Sequence, residues 1–91
     1  MPVKVKIPTA LRQYAGGQDT IDLDGDDVGQ VLAKLGEGFP ELAGHLFDDQ
    51  GELRNFVNVY LNDQSIRDLE GSASRLSSGD ELTIVPAIAG G

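Results

Sequence analysis

The residues best suited to chemistry are the last ones. Thr83-Ile84-Val85-Pro86-Ala87-Ile88-Ala89-Gly90-Gly91 runs from a β-branched stretch through a proline into small residues and stops at a bare di-glycine. Val, Ile and Thr predict a strand, and Pro86 predicts its end. Gly90 and Gly91 carry no side chains, so a carbonyl at this end can enter a narrow site and be approached closely. Ala87 and Ala89 keep the preceding tail slim. The chemistry this suggests is a Gly91 carboxylate delivered into the active site of another protein. From the residues alone, simple fraying of a chain end stands beside it.

Nothing else in the chain competes as a reactive group. There is no cysteine, which excludes disulfides, thiolate metal sites and a cysteine nucleophile. Any sulfur this protein handled would have to ride on its main chain. His45 is the only histidine. Without a supporting cysteine or carboxylate arrangement it reads as a surface or helix-end residue. Gly16-Gly17 lacks the longer glycine-rich pattern and the lysine of a nucleotide loop. With no converging acid–base motif, an independent enzyme ranks last, and neither a metal nor a cofactor is expected on this chain.

Composition sets further bounds. Ninety-one residues, 40% of them apolar, make one domain with a single small core. Fifteen acidic and seven basic side chains give a formal charge of −8, which repels nucleic-acid phosphates and favours a partner with a basic surface, besides serving solubility. No apolar run approaches the roughly twenty residues that span a bilayer. The N-terminus lacks the basic and apolar regions of a signal peptide. A cytoplasmic protein with no membrane or nucleic-acid partner is expected, and a monomer, since no long apolar surface stripe is evident.

The elements that must position the C-terminal end can be read from periodicity. Val3-Lys4-Val5-Lys6-Ile7-Pro8 alternates as a half-buried strand with Val3, Val5 and Ile7 inward, ended by Pro8. Leu11 and Tyr14 should fold back over the sheet edge, and Gly16-Gly17 should turn the chain into a second strand over 19–23. Asp26 or Asp27 can cap a helix whose Val28, Val31, Leu32 and Leu35 form one apolar stripe. Gly36 and Gly38 are expected to end that helix, with Pro40 reinforcing the break. Leu42, Leu46 and Phe47 suggest a short helix, then a polar loop. Phe56-Val57-Asn58-Val59-Tyr60-Leu61 is the strongest internal strand, with Val57, Val59 and Leu61 inward. Asn62-Asp63 turns it into a short return over 64–67. An irregular stretch anchored by Leu69 and Leu76 leads through the turn at 77–80 to the last strand, with Leu82 and Ile84 inward.

Taken together, the opening strand from Val3 to Ile7, the helix around Val28 to Leu35, the strand Val57 to Leu61, the Ser78-Gly79-Asp80 turn, the run Leu82-Thr83-Ile84-Val85-Pro86 and the final Gly90-Gly91 resemble the ubiquitin-like sulfur-carrier proteins of bacteria. The resemblance extends from about Val3 to Gly91. It implies an α+β, β-grasp (ubiquitin-like) fold: a small mixed sheet wrapped over one main helix, with a β-grasp domain over 1–86 and a flexible tail over 87–91. Ile7-Pro8-Thr9-Ala10-Leu11-Arg12 with Gly16-Gly17, Phe56 to Asp63 with Ile66-Arg67, and Ile84 to Gly91 are most similar to the carriers serving cysteine biosynthesis in actinobacteria.

What the resemblance implies is a cycle run by partner enzymes. An activating enzyme with ATP and magnesium converts the Gly91 carboxylate to an acyl-adenylate, and sulfur then displaces AMP to leave a thiocarboxylate. In the cysteine branch a pyridoxal-phosphate (PLP)-dependent synthase, carrying an aminoacrylate made from O-phosphoserine, accepts the sulfur; an acyl shift then leaves cysteine joined to Gly91, and a zinc metallopeptidase releases it. ATP, magnesium, PLP and zinc would belong to those partners. Related proteins serve instead as the molybdopterin synthase small subunit, as a carrier for tRNA thiolation, or as a ubiquitin-like modifier whose terminal glycine is conjugated to lysine. Ala87, Ile88, Ala89 and Gly90 would thread the tail, with Ile88 as its anchor in the partner channel. Phe56, Tyr60 and Arg67 are candidates for docking, although either aromatic could equally be an ordinary sheet residue. Asp80 and Glu81 suit steering or plain turn and strand-edge roles.

Overall fold

Alternation and two prolines shape the first third of the chain. In the computed structural model, which describes residues 2–86, strand β1 spans Pro2–Lys6 with Val3 and Val5 buried and Lys4 and Lys6 exposed. Ile7 is also buried, and its N–H reaches the Asp19 carbonyl. After Pro8 the connection is more regular than its composition indicated: residues Thr9–Ala15 form a 3-10 helix that opens with a bond from the Leu11 N–H to the Pro8 carbonyl. Leu11 and Ala15 drop into the core, and Tyr14 packs against it. Gly16 ends this helix at φ +66°, a left-handed geometry that glycine adopts without steric cost. Strand β2, Thr20–Asp24, then returns antiparallel to β1 with Val5 opposite Ile21.

Helix α1, Val28–Gly38, starts on Asp27, whose carboxylate accepts the Gln30 N–H at 2.8 Å. The Gln30 side chain in turn accepts the N–H of Asp26. Together they satisfy two donors at the start of the helix. Val28, Val31, Leu32 and Leu35 are all buried, as their spacing predicts. Gly36, however, does not end the helix, which runs on to Gly38 and is closed by the Phe39 N–H on the Leu35 carbonyl. The reason is packing against helix α2, Pro40–Leu46: a Cβ at position 36 would stand 3.1 Å from that of Ala43. Glycine here serves the approach of two helices rather than a cap. Leu42 and Leu46 complete the inner face of α2, and exposed His45 at its end stacks on Tyr14 with ring centroids 4.2 Å apart.

Strand β3, Val57–Leu61, buries Val57 and Val59, and turns through Asn62 into the two-residue β4, Gln64–Ser65. Asn62 takes φ +56°, which asparagine tolerates better than most residues. The return is shorter than expected, because Ile66 turns inward at the start of a 3-10 helix, Ile66–Asp68, and is buried. Leu69 does not anchor the irregular segment after that helix; it is 37% exposed. Ile66 and Ser74 do so instead. The Ser74 hydroxyl accepts the Glu70 N–H, and its carbonyl accepts the N–H of Val28 at the start of α1. Leu76 is partly buried against the core as its sequence position suggested.

The last strand, β5, Glu81–Pro86, completes a five-stranded sheet of order β2-β1-β5-β3-β4. Only β1 and β5 are parallel; every other pair is antiparallel. This is the mixed β-grasp sheet wrapped over α1, with first and last strands side by side. Leu32 sits in the core between α1 and the sheet at 1% exposure. Leu32→Ala is expected to lower the unfolding free energy by about 2–5 kcal/mol through the cavity it leaves, read from urea denaturation.

Candidate functional site

The base of the C-terminal segment is built by the sheet. Ala87, Ile88, Ala89, Gly90 and Gly91 lie outside the described residues, so the site begins at the end of β5. That strand is central: β1 runs beside it from Lys4–Glu81 to Lys6–Thr83, and β3 accompanies it from Leu61–Leu82 to Val57–Pro86. Leu82 and Ile84 point into the core at 0% and 1% exposure, whereas Val85 is 42% exposed. The strand is therefore held by its two inward side chains and its ladders, with Val85 turned to solvent.

Pro8 breaks the symmetry of this support. It has no N–H with which to extend the β1 ladder, and the chain leaves the sheet there. Beyond Thr83, β5 keeps only β3 as a neighbour. On the other side lies a groove of about 490 Å³ lined by Ile7, Pro8, Ala10, Arg12, Ile84 and Pro86 among others. Arg12 crosses it locally, its Nε donating to the Ile7 carbonyl at 3.1 Å.

The docking candidates fall into two places. Tyr60 is half-buried on β3, opposite Thr83. Phe56 is 50% exposed and immediately precedes the Val57–Pro86 pair, next to where the chain leaves β5. Arg67 is exposed as a residue, but its guanidinium is not spare: Nη2 donates to the carbonyls of Arg54, Asn55 and Val57 at 3.3, 3.2 and 2.8 Å. Arg67 and Phe56 thus meet around one turn, and Tyr60 stands apart from them along β3.

The acidic residues beside the strand are engaged in structure. Asp80 accepts the Ser77 N–H at 2.7 Å and the Asn62 side-chain amide at 3.3 Å. Glu81 pairs with Lys6 across the parallel ladder. Among the described residues no group of three or more His, Cys, Asp or Glu could hold a metal ion. No helix among them is long and apolar enough to cross a membrane. The role of Arg67 carried no signal in the sequence, since its partners lie ten to thirteen residues away and are backbone atoms.

The first and last strands lie side by side in a mixed five-stranded sheet of order β2-β1-β5-β3-β4 over α1, which is the β-grasp architecture. Residues 5–91 match the ThiS family. The chain is 41% identical to the sulfur carrier protein CysO of Mycobacterium tuberculosis, with 100% of both chains covered. It is 33% identical, at the same coverage, to small archaeal modifier protein 3 of Haloferax volcanii. A chain in the crystal structure of the Amycolatopsis orientalis BexX/CysO complex superposes with a TM-score of 0.88 at 35% identity, covering 98% of this chain and 99% of that one. The protein belongs to the ThiS family of ubiquitin-like sulfur carriers.

The inward and outward sides of β5 give a direct test of this anchoring. Ile84→Asp buries an unpaired carboxylate and should cost more than about 4 kcal/mol, leaving the chain largely unfolded by circular dichroism. Val85→Asp should remain folded, within about 1 kcal/mol of the parent in urea.

Proposed function

We propose that this protein is a CysO-type sulfur carrier for cysteine biosynthesis and that its reacting group is the Gly91 carboxylate. The observation that carries the reading is a full-length match to a named sulfur carrier that includes Gly90-Gly91, in a chain with no cysteine to hold sulfur elsewhere.

In this reading residues 1–86 are the docking domain and 87–91 the delivered tail. An activating enzyme attaches the carboxylate oxygen to the α-phosphorus of ATP, and pyrophosphate leaves. A sulfur nucleophile then attacks the activated carbonyl carbon, AMP departs, and a thiocarboxylate remains. Ordering the tail on docking costs backbone entropy, so the globular surface beside Pro86 must supply compensating contacts. The structure of a CysO with BexX supports a fold that is read by protein partners. ATP and magnesium belong to the activating enzyme. A PLP-dependent synthase and a zinc metallopeptidase complete the cycle, each bringing its own cofactor, and the carrier contributes Gly91 as the reacting group and its domain as the docking surface.

A second reading rests on the relative named as a small archaeal modifier protein. There the activated Gly91 carbonyl would be attacked by a lysine amine and form an isopeptide. The two readings separate by mass.

Incubation with a cognate activating enzyme, ATP and a sulfur source should raise the intact mass by the difference between sulfur and oxygen. No such gain with a demonstrably active partner overturns the carrier reading, and adducts on lysines would favour the modifier. Deleting Gly90-Gly91, or adding residues after Gly91, should abolish charging. Urea stability should stay within about 0.5 kcal/mol, the range of substitutions away from buried features.

A further inference from the structure

Resting on the carrier reading, we propose that Arg67 is a positioning residue for activation: it holds the turn that presents Phe56 to the activating enzyme beside the exit of the tail.

The turn at 54–57 closes with the Val57 N–H on the Arg54 carbonyl at 3.0 Å. Three of its four carbonyls, those of Arg54, Asn55 and Val57, converge on a single nitrogen of Arg67. That nitrogen has two hydrogens for three acceptors, so at least one is shared. Carbonyl dipoles gathered in this way repel one another, and a cation at their focus removes that repulsion. The other end of the turn is tied as well: the Arg54 N–H donates to the Leu46 carbonyl at 2.9 Å, and its Nε to that of Gly44 at 3.3 Å. Phe56 is the one residue of the turn whose carbonyl neither arginine nor the turn bond engages, and as a residue it is half exposed. Without a clamp, an exposed aromatic would turn back onto apolar surface or sample many positions.

Its location decides what the ring meets. Val57 pairs with Pro86, so Phe56 is adjacent to the last described residue of β5, the point from which the carrier reading has the tail emerge. An enzyme that receives the tail must close around that point. Val85, also exposed, lies on the neighbouring strand opposite Asn58. A large aromatic on a backbone tied down on both sides has the character of an interface anchor, because docking has to order only its own side-chain torsions and not the turn beneath it. The occupant expected on it is an apolar pocket of the activating enzyme. Arg67 itself need not touch the enzyme.

Adenylate formation can be followed by ATP–pyrophosphate exchange as a function of carrier concentration. Arg67→Ala and Phe56→Ala should each raise the carrier KM about tenfold, the scale of losing one anchor, with kcat changed less than about twofold. Because Arg67 acts through Phe56, the double variant should be no worse than either single one. Arg67→Lys should restore most of the loss, since an ammonium offers three donors to the three carbonyls. Amide exchange gives a readout independent of activity: Val57 should exchange faster in Arg67→Ala and at the parental rate in Phe56→Ala. Unchanged KM in Arg67→Ala, or losses that multiply in the double variant, would overturn the proposal. So would Val57 protection that ignores Arg67. Should Arg67→Ala fail to fold, the Arg67→Lys and Phe56→Ala values and their exchange rates decide it on the same terms. Absence of exchange activity in the parent protein would instead remove the carrier reading itself, and this proposal with it.

Discussion

The sheet of this molecule depends on one piece of hydrogen-bonded geometry: β5 is the middle strand, paired in parallel to β1 and antiparallel to β3. A last strand at a sheet edge would have one ladder and would be the first element to open. In the centre it has two over its first half, and it buries Leu82 and Ile84 against the core beneath. Each such side chain contributes roughly 1.5–3 kcal/mol relative to exposure. Pro86, the last described residue of the strand, is therefore held at a fixed place in the sheet. α1, through Val31, Leu32 and Leu35, supplies the apolar floor on which the sheet rests.

The support is lopsided at the end of that strand, and the lopsidedness comes from single residues. Pro8 withdraws β1 after Thr83, while β3 continues to Pro86 and then turns back at Phe56. One flank of the exit is thus a groove and the other a clamped turn. On the outer sheet face Lys6 pairs with Glu81, and Lys4 stands opposite Asp22 in the register of β1 and β2. An exposed pair such as Lys6–Glu81 contributes little to stability. The acidic excess of the chain as a whole remains available to draw it toward a basic partner, more weakly as salt rises.

Much of this is legible in the residues. Alternation places Val3, Val5, Val57, Val59, Leu82 and Ile84 inward, and the stripe of α1 can be read residue for residue; the cap is narrowed to Asp26 or Asp27, of which the structure uses Asp27. The misreadings share one cause. Gly36 looks like a helix stop because glycine is a poor helix former; inside α1 it survives because Ala43 needs the space. Leu69 looks like an anchor because it is apolar, yet the turn inward is made by Ile66, and Ser74 stitches the segment to α1 through hydrogen bonds. In each case a distant neighbour overrode the local preference.

The sequence by itself determined the strands, the main helix, the absence of thiol chemistry and the slim Gly90-Gly91 terminus, because side-chain period, capping and composition are properties of neighbouring residues. Only the tertiary structure decided that β1 and β5 lie side by side, that Pro8 opens a groove beside the exit, and that Arg67 fixes the turn carrying Phe56. Those arrangements join residues ten to nearly eighty positions apart through backbone hydrogen bonds. Backbone donors and acceptors are the same at every residue type but proline, so no pattern of side chains can announce which of them will meet.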